Sequence, residues 1–525
     1  MAFTQQVLIV GAGPTGLVAA CELARYGIQC RIVEKEHAIS KKSRAIAVQA
    51  RTLEILQIAD MDVDRFLKQG HPARQGRIFD EAGDMIAQVD FDHLQTTYPF
   101  MLLLPQNETE EIFESRLSRY GVKVERGTEL IGCVQDRSAV RVGLRRVDGT
   151  FEDAEFEWVI GCDGAHSLVR HLLGFSFEGA SYEDEFMLAD VHVDGDLDTS
   201  AFHVFTAAKG PLAFFPLKDG RYRVVADNPP KTWGDEPSLA ECQALIDERG
   251  PSGMKLHSPR WLSKFRLHHR KVQELRKGRV FLAGDAAHIH SPAGGQGMNT
   301  GIQDAFNLAW KLAFVVRDMA DPTLLDSYQS ERLPIDEMVI RNSDRLTRFV
   351  TLKNPVARYL RDHLVPIVSS FGRLRQRVGE AVSELAIGYR HSSICEDHYT
   401  PGSDIPAGDR APDIEVSDDG QSGRLYNLLR QGDTTLLISS TGDDLGDAEH
   451  VLKTGIPAWV RVVWAVQTGH PFGRSAVHLI RPDGYVGLRC SLSDAGTRLA
   501  PYFSRLTGRD FPVRRETEKR HQVKA

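Results

Sequence analysis

Three glycines, Gly11, Gly13 and Gly16, follow the apolar run VLIV (7–10) and precede LVAACELARYG (17–27). At such a strand-to-helix turn, bare backbone can approach a diphosphate, and the helix's first N–H groups and positive end can face the anion. Glu34 closes the next apolar run, QCRIVE (29–34), about where a carboxylate takes hydrogen bonds from ribose hydroxyls. Spacing and residue types together predict a dinucleotide fold, without choosing between FAD and NAD. There is no second G-x-G-x-x-G between a strand and a helix.

A second group of residues stands far downstream. The run RVFLAGD (279–285) ends in Asp285, and a turn containing Gly294, Gly295 and Gly297 then feeds a long helix. Ile302, Ala305, Phe306, Ala309, Leu312 and Ala313 recur at helical spacing and give that helix an apolar face. Its positive end falls at Gly297, Met298 and Asn299. His288 and His290 could present two imidazoles to a metal, but no third ligand stands at clear spacing, and no metal is expected.

These residues need elements to hold them. Strand, turn, helix and strand over 7–34 form one βαβ unit, with Gly27 at the left-handed position that ends the helix. From about Phe177 to Leu275 the texture becomes alternating, as in AFHVFTA (201–207) and LAFFPLKDGRYRVVA (212–226), whose Asp219-Gly220 pair signals a hairpin. Strand and helix signals of the first type return near 279, so this region is inserted into a discontinuous nucleotide domain. PGSDIPAGDRAPD (401–413) reads as a linker, and a third unit follows with strands TTLLIS (434–439) and VRVVWAV (460–466) and a final helix near Ser493 to Leu506. The predicted division is 1–176 with 276–390, 177–275, 401–513, and a frayed tail over 514–525.

Three ordered motifs resemble the group A flavoprotein monooxygenases, the para-hydroxybenzoate hydroxylase and phenol hydroxylase family. Besides the glycine turn, WVIGCDGAHSLVR (158–170) is similar to the family's DG motif, which implies that Asp163 and Arg170 serve flavin and nicotinamide binding. GRVFLAGDAAHIHSPAGGQGMN (278–299) resembles its GD motif, in which the residue matching Asp285 holds ribityl hydroxyls of FAD. By the same resemblance Arg44, in SRAIAVQARTLEIL (43–56), pairs with pyrophosphate, and Gln106, in PQNETEEIF (105–113), completes the FAD contacts. The segments AGDRAPD (407–413) and HLIRPDGYVGLRC (478–490) look like the thioredoxin-like domain of the phenol hydroxylase branch, without C-x-x-C, which leaves a structural or dimer-forming role.

The resemblance implies an α/β protein: a Rossmann-like FAD-binding domain, an inserted antiparallel-sheet substrate domain and a C-terminal thioredoxin-like α/β domain. It implies bound FAD, NADPH or NADH as a transient co-substrate, and O2 adding at flavin C4a before its terminal oxygen attacks a small phenolic or polycyclic aromatic ring. LAFFPL (212–217) would roof the flavin, with Phe214, Pro216 and Pro292 on the substrate side. No residue is assigned as the phenol's base. A flavin dehydrogenase or oxidase, and a non-catalytic FAD-binding interaction protein, stay open as alternatives; a flavin halogenase is disfavoured by the missing W-x-W pair.

Composition narrows the remaining classes. The 525 residues exceed one ordinary core, and the formal charge of −7 with no basic stripe points away from nucleic acid. The amino terminus lacks the features of a signal core or bilayer span, so a cytoplasmic location and no membrane partner are expected. Seven scattered cysteines read as reduced thiols.

Overall fold

The computed structural model describes residues 5–291, 294–352, 354–369, 372–400, 402–418, 420–440, 456–465 and 471–511. Pro292, the frayed-tail segment 514–525 and the end of the 460–466 strand run lie outside the described residues. The described chain falls into two compact units: Met1–Leu56 with Met61–Phe306 and Arg332–Ala386, and Gln57–Asp60 with Asn307–Glu331 and Ile387–Ala525.

In the first unit, strand Val7–Val10 lies at the centre of a six-stranded sheet. It pairs in parallel with Cys30–Glu34 on one side and Trp158–Gly161 on the other. Val280–Leu282 continues the parallel order beside Trp158–Gly161, so sequence from both sides of the inserted region completes the sheet. Val7, Leu8 and Ile9 are fully buried, as expected for a strand covered on both faces. Helix Pro14–Arg25 follows the glycine turn and ends where Gly27, at φ +74°, lets Ile28 N–H reach the Leu23 carbonyl at 2.9 Å.

The second sheet of this unit has eight strands. Toward one edge runs the long pair Glu178–Asp194 and Lys255–Lys271, continued by Arg221–Asp227, Gly210–Pro216 and Ala201–Ala207. The turn at Asp219 and Gly220 takes positive φ at both residues, as its sequence predicts. Three strands come from outside the expected substrate domain, one of them His288–Ile289, which pairs antiparallel with Lys255–Lys271 at the sheet's edge. Gln75–Phe79 pairs in parallel with Ala201–Ala207, and Met85–Asp90 pairs with Gln75–Phe79, so the sheet draws on 75–90 and 288–289 as well as 177–275. The division at 390 also differs: residues 307–331 cluster with the C-terminal unit.

In the second unit a seven-stranded mixed sheet carries the C-terminal segment. Thr434–Ser439 pairs in parallel with Val460–Ala465 and antiparallel with Ala476–Ile480. Phe314, Trp459 and Phe503 stack edge to face in its core, tying residues of 307–316 and helix Ala495–Thr507 to the sheet. All seven cysteines are free. No helix among the described residues is long and apolar enough to cross a membrane.

Candidate active site

The glycine turn is shaped by steric need at two positions and left open at the third. Gly11 sits at φ +99°, and a Cβ there would overlap the Cys162 carbonyl; a Cβ on Gly16 would overlap the Gly11 carbonyl. A Cβ on Gly13 would meet nothing within 4 Å, so the backbone there borders open space at the amino end of helix Pro14–Arg25. Glu34 is held beside this turn, its carboxylate accepting from Ala12 N–H at 2.8 Å and Glu36 N–H at 3.0 Å.

Asp285 follows Gly284, which adopts φ +61° and whose Cβ position lies 2.6 Å from Thr15 Oγ1. Thr15 also lies against Gly301, so one side chain of the glycine turn touches both the Asp285 turn and the long helix Gly297–Val316. Sequence spacing gave no sign of this role for Thr15. The Asp285 carboxylate accepts no hydrogen bond from any described residue and is exposed. Burial among surrounding protein atoms nevertheless pushes its pKa up, with His288 and Arg44 opposing the shift. A carboxylate crowded by protein yet reached by water lies in an open hollow.

Asp163 and Arg170, expected to contact cofactors, use their polar atoms on the protein itself. Asp163 accepts from Ser167 Oγ at 2.5 Å and from the N–H groups of Leu168 and Val169 at 2.7 and 3.1 Å, closing the loop before helix Leu168–Leu173. Arg170 is 3% exposed; its guanidinium donates to the carbonyls of Ala286 and Ala165, both at 2.9 Å, and stacks over Phe177. It therefore clamps the Asp163 loop to the residue after Asp285.

The amino end of the long helix is presented by glycines. Gly294 and Gly295 take φ +89° and +65°, and a Cβ on Gly295 would lie 2.5 Å from that of Ala47. Thr300 N–H makes the first backbone bond, to Gln296 at 2.8 Å, so the N–H groups of Gly297, Met298 and Asn299 precede the helical ladder. The Asn299 side chain is fully buried, accepting from Gln49 N–H and donating to the carbonyls of Ala47 and Gly295. Its backbone, not its amide, faces outward chemistry. Gln106 braces the loop before Ala47, its own N–H bonding Ser43 Oγ at 2.7 Å and its amide bonding Glu110 at 2.8 Å. Arg44, on that loop, is exposed and within electrostatic reach of Asp285.

Beneath the Asp285 turn lies a buried cluster that spacing did not reveal. Asp304 accepts from Gly284 N–H at 3.0 Å and Arg332 Nε at 2.6 Å, and lies 2.7 Å from His288 Nε2; Asp336 is 3.4 Å from the same nitrogen. His288, Asp304 and Asp336 could offer ligand atoms to one ion, all within 4.8 Å of one another. Arg332 already supplies positive charge there. Burial opposes charging of His288, but Asp336 and Asp304 outweigh it and raise its pKa to about 9. His290 stands apart: its Nδ1–H donates to the Ser291 carbonyl at 2.9 Å, burial holds its pKa down to about 4, and Nε2 has no hydrogen-bond partner among the described residues.

The substrate-side expectation needs correction at Phe214 and Pro216. Phe214 is fully buried, packed edge to face with Phe205 and Tyr222 in a core sealed by helix Leu239–Arg249, and Pro216 is buried with the same strand parity. The opposite face carries Phe215, stacked on Phe202, and the bidentate pair Arg223–Asp190 at 2.6 and 2.7 Å. Arg223 also donates to the Arg44 carbonyl at 2.7 Å, so this face meets the Arg44 loop.

The open backbone at Gly13, Asp285 without a hydrogen-bond partner among the described residues, and the N–H groups of Gly297–Asn299 ahead of the helical ladder fit an extended dinucleotide with a polar ring edge. Comparison with known proteins agrees. Residues 4–343 match the FAD binding domain family, and 405–510 match the aromatic-ring hydroxylase C-terminal family. The chain is 34% identical to 6-methylpretetramide 4-monooxygenase of Streptomyces rimosus, over 94% of this chain and 92% of that one. It is also 34% identical to pentachlorophenol 4-monooxygenase of Sphingobium chlorophenolicum, over 93% and 94%. The solved anhydrotetracycline hydroxylase of Streptomyces rimosus superposes with a TM-score of 0.77 at 29% identity, covering 96% of this chain and 99% of that one. With the glycine turn, the Asp285 hollow and the C-terminal unit all accounted for, the chain belongs to the FAD-dependent aromatic-ring hydroxylases and is a flavin monooxygenase.

Proposed function

We propose that this enzyme hydroxylates a phenolic ring, using NAD(P)H and O2 and releasing water with the oxidised nicotinamide. The observation that carries the reading is the Asp285 hollow, where a carboxylate without hydrogen bonds lies in a turn that Thr15 links to the glycine turn and the long helix. Gly11, Gly13, Gly16 and Glu34 hold the adenosine diphosphate half, Asp285 takes ribityl hydroxyls, and Arg44 neutralises diphosphate charge. Gly297, Met298 and Asn299 direct backbone N–H groups at the flavin's polar edge, with Gln106 and Asn299 fixing the loops around it. Bound FAD supplies hydride acceptance and activation of O2 for transfer of one oxygen atom. His290, neutral and with an unpartnered Nε2 that lies 3.5 Å from the Gly297 Cβ position, is a hydrogen-bond acceptor at this same end.

NAD(P)H needs a landing site, and a basic cluster offers one. Burial first, then Arg270, His166, Arg266 and Arg44, hold the His268 pKa below its ordinary value. Arg44, His166 and Arg266 are exposed. Such a concentration of cations beside the Asp163 loop suits a dinucleotide's diphosphate. The free, scattered cysteines support a cytoplasmic setting, and the C-terminal unit serves as a structural or dimer-forming module.

NAD(P)H oxidation by the FAD-loaded protein, with and without a panel of phenols, tests the function. Stimulation by a phenol with stoichiometric O2 uptake and a hydroxylated product is expected. Oxidation of the substrate without added oxygen would favour a dehydrogenase.

A further inference from the structure

The turn that follows helix Gly372–Val382 grips the start of the long helix at two levels. The Ala381 carbonyl accepts from Gln296 Nε2 at 3.1 Å, just ahead of Gly297. Glu384 accepts from Gln303 Nε2, nearly two turns into helix Gly297–Val316. Between them the Ser383 carbonyl takes Arg51 N–H at 3.1 Å, so helix Ala50–Ile58 holds the turn in place. The N–H groups of Gly297, Met298 and Asn299 lie within this bracket.

Glu384 is 1% exposed and Gln303 2%. Glu384 sits at φ +63°, a left-handed conformation uncommon for such a side chain. Besides the one bond that joins them, Glu384 Oε1 and Gln303 Oε1 have no hydrogen-bond partner among the described residues. An ionised Glu384 cannot satisfy that pair, because both atoms are acceptors. A protonated acid can: the amide N–H donates to one acid oxygen, and the other, as O–H, donates to the amide oxygen.

The surrounding charges favour the acid. Burial pushes the Glu384 carboxyl up to about 8; Arg332 and the Gln303 amide oppose the rise, and Asp304 adds to it. Each neighbouring cation already has a carboxylate of its own. Arg332, on helix Asp326–Val350, bonds Asp304 at 2.6 Å and lies 4.0 Å from Asp336. On helix Ala50–Ile58, Arg51 pairs with Glu54 at 3.0 Å. On the turn's own helix, Glu380 accepts from Gln376 at 3.0 Å.

We propose that Glu384 is a proton-bearing positioning residue, which closes a two-bond acid–amide ring with Gln303 and so holds the start of the long helix where it meets FAD. The proposal rests on the assignment of Gly297–Asn299 to the flavin's polar edge, and on no particular substrate. Ionisation of Glu384 removes one bond of the ring and sets two buried acceptors against each other. The grip on the helix therefore loosens as pH rises through about 8.

The test compares the FAD-loaded enzyme with Glu384→Gln from about pH 6 to about pH 10. Glutamine keeps both ring bonds at every pH, its amide N–H replacing the acid O–H. The C=O stretch of a protonated acid is expected in the infrared spectrum of the native enzyme at about pH 7, absent from Glu384→Gln and fading above about pH 8. FAD affinity, read from flavin fluorescence on dilution, should agree within about twofold between the two proteins at about pH 7. At about pH 10 the native enzyme should bind FAD about tenfold more weakly than Glu384→Gln. His288 titrates in this range in both proteins, so the difference between them is what isolates Glu384. Melting temperature reports that both are folded. A missing acid band at neutral pH overturns the proposal, and so do equal FAD affinities at high pH, which would reduce the ring to a device for stability. Neither readout needs turnover, so the hydroxylase reading can fail without affecting them.

Discussion

Two buried charge clusters, one in each unit, are built from similar residues and finished to different standards. In the C-terminal unit Lys311 donates to Asn307 and Glu331, Arg481 bonds both Glu331 and Asp483, Ser392 donates to Glu331, and Trp310 donates to Asp483. In the flavin-binding unit, among the described residues, Asp336 accepts no hydrogen bond with either oxygen, and His288 Nδ1, Gln303 Oε1 and Glu384 Oε1 have no hydrogen-bond partner. Burial raises the Asp336 pKa to about 7 and that of Glu384 to about 8, whereas Arg481 and Lys311 outweigh burial to hold Glu331 well below the carboxylate range. A satisfied network serves rigidity; an unsatisfied one beneath a cofactor hollow keeps polar capacity in reserve.

The largest effect should come from breaking the satisfied cluster. Arg481→Ala strands Glu331 and Asp483 without their guanidinium and should destabilise the protein by about 3–5 kcal/mol, read as a fall in melting temperature. An unchanged melting curve would show the cluster to be dispensable. Asp285→Ala removes about two charge-assisted hydrogen bonds and should weaken FAD binding about 100-fold, with circular dichroism unchanged. Full flavin retention after desalting would refute the assignment.

Smaller changes sharpen the contrast. Asp304→Asn should weaken FAD about tenfold, because Asp304 holds both the Gly284 turn and the His288 imidazolium. It should also move a pH effect. The folded pKa of His288 lies near 9, so its stabilisation is complete below about 6.5 and lost as pH rises through 9. In the variant that loss begins at lower pH, visible in melting temperature from pH 7 to 10. Glu384 has the opposite chemistry: neutral when folded to about pH 8 but ionised when unfolded, it makes stability fall as pH rises from about 4.5 to 8. Glu384→Gln should therefore gain about 3 °C or more at pH 8 and little at pH 4.5. The mildest prediction concerns Arg266→Ala with Arg270→Ala, expected to raise KM for NAD(P)H about tenfold with kcat little changed, since cations at this cluster contribute capture.

What could be read from sequence divides along physical lines. The glycine turn was legible because Gly11 and Gly16 answer to contacts within one βαβ unit and its neighbouring strand. The Asp285 turn was legible because an apolar run ends at Gly284-Asp285 and a glycine-rich turn then feeds a long amphipathic helix. Asp304, Arg332 and Asp336 were not, since they meet His288 only after two helices pack, with up to 48 residues between them. The strands at 75–90 were missed because Gln75–Phe79 pairs with a strand more than 120 residues away. The burial of Phe214 was missed because an apolar run such as AFFP carries no mark of which face is sealed by a helix.

The site around Asp285 should transfer one atom of O2 to a phenolic ring. Reaction of the FAD-loaded enzyme with NAD(P)H and a stimulating phenol under 18O2 tests it most directly. One 18O atom in the hydroxylated product, with little hydrogen peroxide, is the predicted result. A product without label, or all consumed oxygen recovered as peroxide with every phenol, would contradict it.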